Sequence, residues 1–408
     1  MKRVIIIGGG AAGCMAAYMA AGCGAQAVLL ESTPRLMNKV RITGKGRCNV
    51  CNNCDIDTLI ANVPENGRFL YSAFSGFAPQ DTMTFFESLG VSLKTERGNR
   101  VFPVSDKASD IVDALVKAAK RGGAEIIQGT AKKILTENGA VSGVLLENGE
   151  ALPADSVILA TGGMSYPLTG STGDGYKIAR ALGHTVTEIK PSLVALNAHE
   201  GFCERLAGLS LKNVALSVFE EGRKKPVFSE LGEILFTHFG ISGPLVLSAS
   251  AHMRYIGKKQ YTAAIDLKPG LTPEQLDKRI LRDFDEEKNR DFINSLNKLL
   301  PKSLIPIVVR LSCIEPDRKV NSISREQRAA LCRVLKEFTL HITGTRPIDE
   351  AIITRGGISV KEIDPKTMGS RLISGLYFAG EIIDVDAYTG GFNLQIAFST
   401  GFAAGSNV

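Results

Sequence analysis

The sequence predicts an α/β fold of the Rossmann type, a central parallel sheet with a β-meander, interrupted by an insert that carries a small β-barrel and helices. Three observations predict it. The chain opens on a β-branched run and a glycine-rich turn, RVIIIGGGAAG. It closes on a strand, a glycine pair and a small-residue helix, GLYFAGEIIDVDAYTGGFNLQIAF. Its middle changes to short strands and then to charged helices.

Composition sets the frame. The 408 residues are 44% hydrophobic and 22% charged, which suits a folded chain of more than one compact unit and excludes disorder as the main state. A net charge of +6, with acids and bases mixed throughout, favours anionic small molecules weakly and gives no reason to expect nucleic acid as a partner. Eight cysteines are not needed to staple so large a chain, so free thiols in a reducing cytoplasm are expected. The uncharged run up to Leu30 could pass for a leader or a membrane span. Gly8, Gly9, Gly10, Gly13, Gly22 and Gly24 break it, and a nucleotide fold explains them better, so no membrane association is expected.

The first element is a strand, followed by Gly8-x-Gly10-x-x-Gly13 and a helix. Gly8 lets the chain turn sharply, Gly10 lets the backbone approach a pyrophosphate, and Gly13 lets the helix pack closely on the strand. The amides opening the helix, at Ala11 and Ala12, then face the phosphates, where unpaired N–H groups and the positive dipole end stabilise negative charge. The next strand, AVLLE, ends at Glu31, 18 positions beyond Gly13. A carboxylate there accepts adenosine ribose hydroxyls and repels a 2′-phosphate, which favours FAD or NAD over NADP.

The segment DKASDIVDALVKAAKRGG places Ala108, Ile111, Val112, Leu115 and Val116 on one helical face and ends at Gly122 as a cap. A strand, AEIIQGTA, reaches Ala131. Two Asn-Gly pairs, Asn138-Gly139 and Asn148-Gly149, flank AVSGVLLE and read as a β-meander. SVILATGG closes the segment with Thr161, Gly162 and Gly163. This order suits a flavoprotein of the two-dinucleotide-binding type better than a simple NAD dehydrogenase domain. At the far end, Gly380 and Glu381 finish a strand, with Glu381 placed to bond a ribityl hydroxyl. Gly390 and Gly391 precede a helix carrying Phe392, Asn393, Leu394 and Gln395, whose N-terminal amides suit the flavin N1–C2=O edge.

With these pieces in view, the chain resembles the BaiN/YhiN family of bacterial FAD-containing oxidoreductases. VIIIGGGAAG, GKGRCN, VFPVSDKASDIVDAL, TGGMSYPLTGSTGDGYKIARALGH, LFTHFGISGPLVLS and EIDPKTMGSRLISGLYFAGEIIDVDAYTGGFNLQ follow the family in order over essentially the whole chain. The resemblance implies a FAD domain assembled from both chain ends, with an inserted barrel and helices. It also implies either reduction of conjugated double bonds in 3-oxo bile-acid intermediates or oxidation of small amino ketones such as aminoacetone.

The loop GKGRCNVCNNC spaces three cysteines as C-x2-C-x2-C. Gly46, Arg47, Cys48, Asn49, Val50 and Asn52 fit the family's loop, with Cys51 in place of its Thr. An iron–sulfur site would need a fourth thiolate and a Cys-Pro soon after Cys54, where the chain reads DIDTLI; only the distant Cys203, Cys313 or Cys332 could supply a ligand, and no metal is expected. The preferred reading is a loop whose Lys45 and Arg47 neutralise cofactor phosphates or a substrate anion, with backbone amides near the flavin. Lys39, just ahead of it, is counted with the cofactor contacts. Cys51 and Cys54 are bystanders or a redox-sensitive pair.

Junctions fall near 190 and 345. The FAD-binding domain spans 1–190 and 346–408, and the insert 191–345 has its barrel at about 191–270 and its helices at about 271–345. Thr272 caps the first of these helices, Pro273 fits its first turn, and Gln275 completes a capping box. The charges on EQLDKRILRDFDEEKNR and SREQRAALCRVLKEF read as solvated faces, since acids and bases alternate.

For an enone, reduced FAD would pass hydride from N5 to the β-carbon while an acid protonates the α-carbon. Tyr166, in GGMSYPLTG, and His238, in LFTHFG, are the candidate donors. The plainer readings are a packing tyrosine and a hydrogen-bonded core histidine. GSTGDGYKIARALG has Gly170, Gly173 and Gly175 in a different order from a second nicotinamide fingerprint, so NAD(P)H would bind transiently or electrons would go to oxygen. A FAD-bearing redox sensor or RNA-modification partner is the alternative of a different class.

Overall fold

A computed structural model describes residues 1–408. Two compact units emerge, one from Met1–Ser192 with Pro347–Val408, the other from Leu193–Arg346. No helix is long and apolar enough to cross a membrane; the glycine-rich opening is strand, helix and strand.

In the first unit, five parallel strands lie in the order Leu376–Phe378, Ser156–Leu159, Arg3–Ile7, Gln26–Glu31 and Glu125–Gln128. The central strand is buried from Val4 through Ile7, as expected where a parallel sheet is covered on both faces and a continuous apolar run replaces alternation. The registers Ile5 with Val157 and Ile5 with Val28 bring the ends of these strands, and the loops that follow, to one edge.

The two chain ends meet through small residues. Helix Ala11–Gly22 packs along the last helix, Phe392–Ser406. A Cβ on Gly401 would lie 2.4 Å from the Ala12 carbonyl oxygen, and one on Gly405 2.4 Å from that of Ala16, so the backbones approach as closely as glycine allows. Both helices are buried over most of their length, so their apolar residues show no one-sided stripe.

The meander is built from Ala131–Glu137, Ala140–Leu146 and Ala151–Pro153. Asn138 and Gly139 both have positive φ, 51° and 77°, the hairpin turn whose twist matches its strands. At the second pair only Gly149 does, and the Asn148 side chain accepts instead from the Glu150 amide at 2.9 Å. The helix Ala108–Arg121 buries Ile111, Val112, Leu115, Ala118 and Ala119, whereas Val116 is half-buried; Gly122 ends it, and Gly123 takes the left-handed conformation.

The second unit is a closed six-stranded barrel in the order Leu196–Ala198, Gly240–Ser242, Phe228–Thr237, Ser210–Glu220, Tyr261–Asp266 and Phe338–Thr345. Alternating burial along Val214–Glu220 points Leu216 and Val218 into a core shared with Ile234, Phe236, Ile265 and Leu340. The helices Pro273–Glu286, Ile305–Ser312 and Arg325–Lys336 lie between the fifth and sixth strands in sequence. A barrel confined to about 191–270 is therefore incomplete: Phe338–Thr345 closes it by pairing with both Tyr261–Asp266 and Leu196–Ala198. The expected capping box is present, with the Thr272 hydroxyl accepting from the Gln275 amide and the Gln275 side chain accepting from the Thr272 amide.

Candidate functional site

A cleft in the first unit runs past the fingerprint turn, the ends of the parallel strands and the start of the last helix. Gly8, Gly10, Ala11, Ala12, Glu31, Lys39, Ala131, Thr161, Gly162, Gly380, Glu381, Asn393 and Leu394 all line it. These come from segments hundreds of residues apart, and the parallel registers bring them to one edge.

Each glycine of the fingerprint has a distinct setting. Gly8 has φ of 105°, a conformation that a side chain would strain. Gly13 lies against the turn itself, where a Cβ would stand 1.8 Å from the Gly8 carbonyl oxygen. Gly10 faces open space, with nothing within 4 Å of a Cβ, and no side chain caps the helix it opens. The first amides of that helix have no intrahelical acceptors. Against the same turn, the Glu31 carboxylate accepts from the Gly9 amide at 2.6 Å and from the Thr33 amide and hydroxyl at 2.7 Å each.

Lys39 and Glu381 form a shielded ion pair at 2.7 Å. The Lys39 ammonium also donates to the Ser165 hydroxyl at 2.6 Å, and Glu381 accepts from the Thr354 amide at 2.8 Å. Glu381, expected to reach a ribityl hydroxyl, thus has both oxygens engaged by the protein. The last helix begins after Gly390 and Gly391, with φ of 124° and 99°. Strand Cys51–Asn52 presses on this turn: a Cβ on Gly391 would lie 2.3 Å from the Cys51 backbone, and the Asn52 side-chain Nδ2 donates to the Gly390 carbonyl at 3.0 Å. Asn393 ties down the preceding loop through the Ala387 amide and carbonyl, whereas Gln395 is a buried tie to Phe77 and Ser399.

Several sequence candidates lie outside the lining. Gly13, Gly163, Gly391 and Phe392 support the walls. Gly46, Arg47, Cys48 and Asn49 do not line the cleft either. Arg47 is bound to Glu96 and to Asp106 and stacks over Phe102 at 4.1 Å, so its charge is already balanced. Cys48 and Cys51 are buried and Cys54 half-buried; burial pushes the thiols up to about 12, 12 and 11, which keeps them protonated and unreactive at neutral pH. No group of His, Cys, Asp and Glu side chains is disposed to hold a metal. Tyr166 is half-buried in a left-handed turn, its carbonyl accepting from Thr169. His238 belongs to the second unit, exposed in the turn between two barrel strands with its ring edge on Phe239, so it is not a core histidine.

A pair of acids escaped the sequence reading. Asp386, one residue beyond the cleft-lining Val385, is 3% exposed and accepts from the Ser192 hydroxyl at 2.7 Å. Burial pushes its carboxyl up to about 6, against the Ser192 hydrogen bond and the nearby Arg355, and Asp384 is raised by burial too. The signal was present in IIDVDAY, two carboxylates set in an apolar run.

The residues fit a bound dinucleotide. An uncapped helix start with an open Cβ cone stands ready for phosphates, and the Thr161 hydroxyl in the lining is buried without a hydrogen-bond partner.

Comparison with known proteins agrees with this architecture. Residues 2–407 match the family model described as HI0933-like protein Rossmann domain. A 3-dehydro-bile acid delta(4,6)-reductase of Clostridium scindens is 34% identical, over 99% of this chain and 98% of that protein. A ribosomal RNA dihydrouridine synthase of Escherichia coli is 29% identical, over 99% of this chain and 97% of that protein. Among solved structures, the 3-ketosteroid delta1-dehydrogenase of Sterolibacterium denitrificans superposes with a TM-score of 0.52 at 14% identity, covering 99% of each chain, a likeness of fold.

Proposed function

The chain belongs to the HI0933-like Rossmann-domain family, and from that premise we propose a FAD-dependent oxidoreductase that uses NAD(P)H to reduce a carbon–carbon double bond conjugated to a carbonyl. The observation that carries the reading is the single cleft built from both chain ends, with uncapped helix amides beside Gly10 and the Glu31 carboxylate among its lining. FAD, when bound, supplies the two-electron redox chemistry.

The protein's own residues do the rest. Gly10 leaves room for a pyrophosphate, and the amides of Ala11 and Ala12 stabilise its charge. Glu31, whose carboxylate accepts from the Gly9 and Thr33 amides, is the group that would receive ribose hydroxyls of the bound dinucleotide. Lys39 holds Glu381 in place beside the strand end. Asp386, next to the cleft-lining Val385 and with its carboxyl pushed by burial up to about 6, is the group placed to pass a proton toward the substrate α-carbon: it is protonated below about pH 6 and largely ionised above it. Tyr166 and His238 are retained as further candidate donors.

The substrate class follows the relatives' names. The bile-acid reductase supports a 3-oxo enone of steroid type as the first reading. A second reading, the uracil ring of an RNA, is favoured by the relative named as a ribosomal RNA dihydrouridine synthase. Both substrates present the same group, a double bond conjugated to a carbonyl.

Anaerobic stopped-flow mixing with NADH or NADPH tests the proposal. Rapid bleaching of flavin absorbance, then recovery on adding a 3-oxo-Δ4 steroid or a uridine-containing RNA, is expected. Flavin that neither nucleotide reduces, or that only oxygen reoxidises, contradicts it; the second result supports an amino-ketone oxidase.

A further inference from the structure

The barrel unit carries a basic surface assembled from two loops. The hairpin tip after Ser210–Glu220 holds Arg223, Lys224 and Lys225; the loop between helix Pro244–His252 and strand Tyr261–Asp266 holds Arg254, Lys258 and Lys259. Strand register joins them. Glu220 pairs with Tyr261, the Glu221 amide donates to the Gln260 carbonyl at 2.9 Å, and the Gln260 amide donates back to the Glu221 carboxylate at 3.2 Å.

All six cations are exposed, and Glu220 and Glu221 are the carboxylates beside them in the two loops. Glu220 is buried at 3% exposure and accepts from Lys259 at 2.6 Å, from the Tyr261 hydroxyl at 2.9 Å and from Arg223 at 3.1 Å. One buried acid thereby fastens a cation from each loop and holds the pair rigid. Lys224, Lys225 and Lys258 carry their charge in solvent with no carboxylate partner. Among them Tyr255 is 46% exposed, with the Lys259 ammonium 5.0 Å from its ring centre and its backbone amide bonded to the Tyr261 hydroxyl.

We propose that this surface binds single-stranded RNA, its phosphates on the lysines and a base stacked on Tyr255. Cations around a fixed, exposed aromatic ring are the combination that tracks a phosphodiester backbone while offering a stacking platform. A lipid surface would need the charges and an apolar finger to insert, and these loops offer no exposed aliphatic residue. The choice of RNA as partner rests on the second reading of the proposed function, whereas the site rests on charge and strand register in the barrel unit, and RNA binding is read separately from flavin reduction.

Fluorescence polarisation of the flavin-loaded full chain with a short labelled single-stranded RNA, across a salt series, tests it. The triple variant Lys224→Gln, Lys225→Gln, Lys258→Gln is expected to bind about 10-fold more weakly and to lower the slope of log affinity against log salt by about 2. Tyr255→Ala is expected to weaken binding about 10-fold with the slope unchanged. Both variants keep the flavin content and NAD(P)H-driven bleaching of the parent, which reports an intact fold. Undetectable RNA binding by the parent, or equal affinity in the variants, overturns the proposal. Binding of phosphatidylglycerol vesicles without RNA binding assigns the patch to a membrane and overturns it equally.

Discussion

Gly10→Val is expected to give a folded but colourless protein, with the melting temperature of the cofactor-free parent and an affinity for FAD lower by about 100-fold or more. The backbone at Gly10 has φ of −79°, ordinary for valine, and a Cβ there meets no heavy atom within 4 Å. The new side chain instead occupies the cleft in front of the uncapped amides. Gly13→Val behaves oppositely. Its Cβ would start 1.8 Å from the Gly8 carbonyl oxygen, so the helix must leave the turn, and stability and flavin are lost together. Circular-dichroism melts without cofactor, paired with FAD fluorescence titrations, separate the two. A Gly10→Val protein that retains a full complement of FAD contradicts the assignment.

Asp386→Asn is expected to raise stability and abolish most turnover at once. The folded protein holds the Asp386 carboxyl up to about 6, whereas an unfolded carboxylate titrates near its ordinary value of about 3.9. A raised folded value means that the contribution to stability is complete below about pH 4 and is lost as pH rises through 6. Above that, the protein carries a buried charge at a cost of roughly 3 kcal/mol, moderated by Ser192 and Arg355 and aggravated by Glu65 and Asp384. Asparagine removes the charge and keeps the shape. Urea melts should therefore show a gain at pH 8 that disappears near pH 4, while turnover falls by about 100-fold or more for want of the proton. A gain that does not vary with pH, or unchanged turnover, removes Asp386 from the chemistry.

What could be read from sequence was local. The turn at Gly8–Gly13, the carboxylate at Glu31 and the capping box at Thr272 and Gln275 each depend on a few neighbouring residues, and their spacing is enough to state their conformation. The same holds for Asn138-Gly139, though Asn148-Gly149 shows that one dipeptide serves two turn types. What could not be read depended on partners distant in the chain. Phe338–Thr345 completes a barrel whose other strands end at Asp266, and nothing near it announces that role. Arg47 beside two glycines resembles a phosphate contact until Glu96 and Asp106 arrive from elsewhere in the chain to neutralise it. Lysines that look scattered at 224, 225 and 258 become one patch only when Glu220 pairs with Tyr261. Glu31 and Lys39 were legible as cleft residues, but the ion pair of Lys39 with Glu381 spans most of the chain.

Helices Ala11–Gly22 and Phe392–Ser406 pack together along the cleft that is proposed to hold one FAD. Acid release and mass spectrometry of the flavin in purified protein, set against protein concentration, test it most directly. One FAD per chain is predicted, either as isolated or after incubation with excess cofactor. Colourless protein that refuses added FAD, or a flavin identified as FMN, contradicts it.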